Sequence, residues 1–109
     1  LAWRVEIIKS VEAALLQNPF PDADPAFLHL GFLGAIPAHP DLAKLAGLKT
    51  ENERFQLVDG VFYLHAPDGV GRSRLAAAAE RLLGVPMTDR NWRTVCRLRD
   101  MARELKAVP

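Results

Sequence analysis

The pair Asp59-Gly60, set between two short apolar-rich runs, constrains this chain more than any other feature. A two-residue hairpin loop of type I′ needs positive φ at both central positions, and Asp-Gly adopts them readily. Phe55 to Val58 and Val61 to His65 therefore read as two strands of an antiparallel hairpin. A loop of that length pairs Leu57 with Phe62 and Phe55 with Leu64, which puts these four on one face. Gln56, Val58, Val61 and Tyr63 then fall on the other, so the register is self-consistent.

The rest of the chain is read around that hairpin. Trp3, Val5 and Ile7 alternate with Arg4 and Glu6, the period of a strand with one buried face. Ser10 is placed to cap a short helix whose inward stripe is Val11, Ala14 and Leu15, stopped by Asn18-Pro19-Phe20-Pro21. Phe27 to Leu33 is apolar at almost every position and reads as a central strand covered on both faces, with His29 a core histidine held by hydrogen bonds. Pro40 suits the first turn of a short helix carrying Leu42 and Leu45 and ending near Gly47. The spacing of Leu75, Ala79 and Leu82 predicts a helix over Ser73 to Leu83, with Gly84 as its C-terminal cap and Pro86 beyond. A last helix is predicted from Arg90 to Leu105, capped by Thr88 or Asp89, with Val95, Leu98, Met101, Ala102 and Leu105 inward. The resulting order, β-α-β-α-β-β-α-α, describes an α+β fold: a ferredoxin-like split β-α-β with an antiparallel hairpin and two C-terminal helices, the helices largely on one face.

At 109 residues, half of them apolar and a quarter charged, the chain has the size and composition of one globular domain. No apolar run reaches the roughly 18 residues of a membrane span, and Leu1-Ala2-Trp3-Arg4 opens no secretory signal, so a soluble, cytoplasmic protein without a membrane partner is expected. Cys96 stands alone and cannot close an internal disulfide. Charge is uneven along the chain. Residues 1–70 hold five Lys/Arg against nine Asp/Glu, a net of −4, whereas residues 71–109 hold nine against four, a net of +5. A basic third is either a footprint for an anionic partner or a plain solvated surface.

The residues that carry chemistry cluster in that basic third. Gly71, Arg72, Ser73 and Arg74 open one helix, where unpaired backbone N–H groups and the positive end of the dipole attract anions. Arg90, Asn91, Trp92 and Arg93 open the next. Together these eight are the candidate anion-binding residues, provided that the two helix starts lie at the same end of the sheet. Each also has a structural reading: glycine and serine suit a turn and an N-cap, and Trp92 plugs a sheet-helix interface as readily as it offers a stacking face. The Gly-Val-Gly-Arg-Ser segment lacks the lysine and spacing of a triphosphate loop. His29, His39, His65 and Cys96 lack metal-ligand spacing, and Ser73, Asp68 and Cys96 show no base to make a nucleophile of them, so neither cofactor nor catalysis is expected. Asp68 either orients Arg72 or Arg74 or is a turn residue.

Pro67-Asp68-Gly69-Val70-Gly71-Arg72-Ser73-Arg74-Leu75, followed by Thr88-Asp89-Arg90-Asn91-Trp92-Arg93-Thr94-Val95, resembles the C-terminal signature of the bacterial family called domain of unknown function 1697. Asn18-Pro19-Phe20 and Leu28-His29-Leu30-Gly31-Phe32-Leu33 are similar too. That resemblance implies a two-part α+β arrangement whose N-terminal half carries an Arg-Gly-Ile-Asn segment. No such segment occurs here, so the chain reads as the C-terminal part of a longer protein. The resemblance implies no activity and no catalytic residue. From the residues, the leading expectation is a small anion-binding module for a phosphate, a nucleotide or nucleic acid. The alternative is a structural domain with no ligand of its own, completed by a homodimer or by the missing N-terminal half.

Overall fold

The computed structural model describes residues 11–107 of the chain. The strand expected over Trp3 to Ile7 lies outside them. From residue 11 the elements are helix α1 (residues 11–16), β1 (Leu28–Leu33), α2 (Leu42–Leu48), β2 (Arg54–Val58), β3 (Val61–His65), α3 (Arg74–Leu83), β4 (Met87–Asn91) and α4 (Trp92–Ala107). Single 3-10 turns at Pro25–Phe27 and Val70–Arg72 lead into β1 and α3. The four strands form one antiparallel sheet in the order β2-β3-β1-β4. β1-α2-β2 and β3-α3-β4 are thus two interlocked split β-α-β units, the ferredoxin-like topology.

The hairpin forms in the register that its loop demands, with Leu57 opposite Phe62 and Phe55 opposite Leu64. Asp59 and Gly60 have φ of 44° and 82°, the left-handed pair of a type I′ turn. Gly84 ends α3 at φ 77°, donating its N–H to the Glu80 carbonyl. Asp41, and not Pro40, begins α2: its carboxylate accepts from the Lys44 N–H at 3.1 Å, and the helix runs past Gly47 to Leu48.

Helices cover both faces of the sheet, as expected for the strand after Phe27, which corrects the expectation that the helices lie largely on one face. Leu45 of α2 and Leu75, Ala79 and Leu83 of α3 pack with Phe62, Leu64 and Ala66 on one side. Val11, Ala14 and Leu15 of α1 and Val95 of α4 pack with Leu28, Leu30, Val61 and Tyr63 on the other. The reason lies in β1 and β3, whose inward- and outward-pointing residues are both apolar, so each face needs a roof. Tyr63 ties the second roof down. Its hydroxyl, fully buried, donates to the Ala14 carbonyl at 2.5 Å. Burial, reinforced by the Asp59 carboxylate, pushes the Tyr63 phenol up to about 12.

Two further corrections concern the C-terminal third. Thr88, Asp89 and Arg90 neither cap nor begin the last helix; they are strand β4, paired with β1 from Leu33 opposite Met87 to His29 opposite Asn91. Nothing in Thr-Asp-Arg-Asn has strand periodicity, because an edge strand exposed on both sides is chosen by the backbone groups of its neighbour. Asn91 caps α4 instead, its side-chain oxygen accepting from the Thr94 N–H at 2.8 Å. Beyond its second turn α4 runs past the core: Val95 is fully buried, but Leu98 is 40% and Met101 58% exposed, so the predicted inward stripe holds only at its start. The side chains of Ala102 and Leu105 lie outside those described.

Candidate anion-binding site

Strand register places the two arginine-bearing helix starts at one end of the sheet. β3 ends with His65 opposite Leu28, and β4 ends with Asn91 opposite His29. With β1 between them, the two strand ends are separated by about 10 Å, twice the spacing of neighbouring strands. From there the chain departs in opposite directions: α3 onto the face of Leu64 and Phe62, α4 onto the face of Leu30 and Tyr63. The candidate residues therefore flank one end of β1 from opposite faces.

Each has a definite local setting. Ser73 is buried, and its hydroxyl accepts from the Ala76 N–H at 3.0 Å, which commits it to capping α3. Gly71 sits exposed in the 3-10 turn between Arg72 and Val70. Trp92 is half-buried against the core beneath α4, the interface-filling role. Asn91 is committed to the α4 cap. That leaves Arg72, Arg74, Arg90 and Arg93 as exposed cations. Among the described residues the ion pairs are Arg54 with Asp22 at 3.4 Å and Arg99 with Asp100 at 3.2 Å, so none of the four is held in a direct ion pair there. Arg90 is oriented by donating to the Asp89 carbonyl at 2.8 Å. Arg93 and Asn91 line a cleft of 250 Å³ against Pro25 and Ala26. Asp68 does not orient the arginines; it accepts from Asn52 at 3.3 Å across the adjoining loop.

Two titratable groups near these residues, one in the middle of β4 and one at the end of β3, were not singled out as site residues by sequence reasoning. Asp89 shares the α3 face with His29. Although Asp89 as a whole is exposed, partial desolvation pushes its carboxyl up, against the opposing pull of His29, the Arg90 guanidinium and the Arg90 backbone N–H. Its strand position was hidden because the segment reads as a helix cap. His65 follows Tyr63 by two residues and so points to the same core face, beside Leu28 and Arg54. Neither of its ring nitrogens is solvent-accessible or hydrogen-bonded among the described residues. Hairpin register alone would have located it, had the alternation been carried one residue pair further. A buried donor and acceptor without partners cost stability that an apolar side chain would not. His65→Leu is accordingly expected to raise unfolding free energy by about 1 kcal/mol or more in urea titrations; a loss of stability would mean that the imidazole is satisfied in solution.

No three His, Cys, Asp or Glu side chains come together as a metal-binding group among the described residues. No described helix is long and apolar enough to cross a membrane. The class that fold and site define is thus a ferredoxin-like α+β domain with helices on both sheet faces and a cationic sheet end. Compared with protein-family models, with curated proteins and with solved structures, the chain matches none.

Proposed function

We propose that this domain is an anion-binding module that takes a phosphate-bearing ligand at the end of the sheet where β3 and β4 finish. The observation that carries this reading is the set of four exposed arginines, Arg72, Arg74, Arg90 and Arg93, none paired with a carboxylate among the described residues. Guanidinium groups left unpaired at one edge of a fold suit bidentate phosphate contacts. Since helices occupy both sheet faces, a nucleotide or nucleic acid would lie across this end and along β4, not flat on the sheet. The resemblance to domain of unknown function 1697 assigns no activity, so the reading rests on the arginines.

Inorganic phosphate, a nucleoside monophosphate and a short oligonucleotide should each be tested for raising the melting temperature, because a ligand selective for the folded state stabilises it by mass action. At 100 times its Kd such a ligand contributes about 2.7 kcal/mol. Arg72→Ala combined with Arg93→Ala should abolish the gain. An oligonucleotide effect that falls steeply with salt identifies a polyanion, and a phosphate effect alone identifies a small ligand. If none of the three probes shifts the melting temperature, the anion-binding reading is wrong.

One observation favours the other reading, that of a dimerising domain. Leu98 and Met101, one turn apart on α4, expose apolar surface in a helix otherwise rich in arginine. Concentration-dependent association lost in Leu98→Glu, with no response to anions, would support it.

A further inference from the structure

A second site lies at the opposite end of the sheet from the arginines. The end of α1, the loop after β1 and the hairpin turn enclose a groove of 480 Å³, a volume in the range of small-molecule pockets. Its floor is apolar, formed by Ala14, Phe32 and Val61. Its rim holds one charged group, the Asp59 carboxylate, and one polar one, Gln17, whose amide donates to Asp59 at 3.4 Å. Asp59 has no ion-pair partner among the described residues. Ile36, also on the rim, is 85% exposed, and Leu16, which adjoins Gln17 on α1, is 87% exposed. These are the most exposed large apolar side chains among the described residues, and Ile36 lines the groove itself.

We propose that this groove binds a small amphiphilic cation, an alkylammonium compound whose ammonium pairs with Asp59 and whose hydrocarbon lies over Ala14, Phe32, Val61 and Ile36. The carboxylate selects the charge. A single long contact to a neutral amide leaves most of its acceptor capacity unused, and an ammonium would offer stronger, charge-assisted hydrogen bonds. The apolar floor selects the body, since covering Ile36 and filling the groove removes hydrocarbon from water. An anion is excluded by the same carboxylate. Because the groove includes none of the arginines, the proposal stands or falls separately from anion binding.

The test uses hexylammonium, hexanol and methylammonium, followed by backbone amide NMR shifts of the whole chain. Hexylammonium should shift the amides of Ala13, Gly60 and Val61 saturably, with at least fivefold higher affinity than hexanol or methylammonium. Asp59→Asn keeps the turn, because asparagine is favoured at positive φ. That variant should lose at least fivefold in hexylammonium affinity with hexanol unaffected, and Ile36→Ser should weaken both. Equal hexylammonium affinity in Asp59→Asn, or shifts that do not saturate or that lie away from the groove, would overturn the proposal.

Discussion

Tyr63→Ala is expected to destabilise the domain by about 3–5 kcal/mol, the range for removing a buried aromatic side chain. For a domain of this length that is about a fifth or more of a typical total stability. Tyr63 is a fully buried member of the core on the α1-α4 face, and its hydroxyl donates from β3 to α1, so its loss both empties the core and orphans the Ala14 carbonyl. Tyr63→Phe isolates the second effect, at about 1–2 kcal/mol. The same residue sets an alkaline limit. Its folded pKa, near 12, lies above the value of about 10 for an unfolded chain, so the neutral phenol stabilises the fold fully below pH about 10. As pH rises from there through 12, that stabilisation is lost at about 1.4 kcal/mol per unit. Tyr63 is the single tyrosine of the sequence, so near-ultraviolet absorbance follows its ionisation without ambiguity. Phenol ionisation at the ordinary value in the folded protein would show that α1 does not seal over it.

Leu75→Ala should cost about 2–5 kcal/mol, because Leu75 is fully buried one residue into α3 and anchors the helix start on the sheet. Its effect should extend to anion binding, since Arg72 and Arg74 are positioned by that anchored start. Ser73→Ala is the comparison that separates structure from ligand contact. It removes the N-cap and should cost about 1 kcal/mol. Because the hydroxyl is already committed to the Ala76 N–H, the stabilisation by phosphate should survive. A Ser73→Ala variant that keeps its stability and loses the anion response would assign the hydroxyl to the ligand and reverse the reading given above. Denaturant titrations with and without phosphate measure both quantities in one experiment.

The arginine cluster was legible in the sequence as residues but not as an arrangement. Composition alone shows that the basic third carries Arg72, Arg74, Arg90 and Arg93, and the glycine-serine turn marks one helix start. The common end of the sheet follows only from the pairing of β1 with both β3 and β4. That pairing was hidden because Met87–Asn91 has no apolar alternation, and its polar residues read as a helix cap. Asp89 and His65 were missed for related reasons: each is defined by the residue opposite it, not by those beside it in the chain.

What the sequence determined by itself was local. Asp59-Gly60 set a hairpin register because only certain residues tolerate positive φ, Gly84 set the end of α3 for the same reason, and the apolar spacing of Val11, Ala14 and Leu15 set the buried side of α1. Tertiary structure decided the edge strand β4, the helices on both faces and the exposure of Leu98 and Met101. Local conformational preference acts over a few residues, whereas the demand that β1's backbone be paired on both edges and its side chains covered on both faces is met by segments far away in the chain.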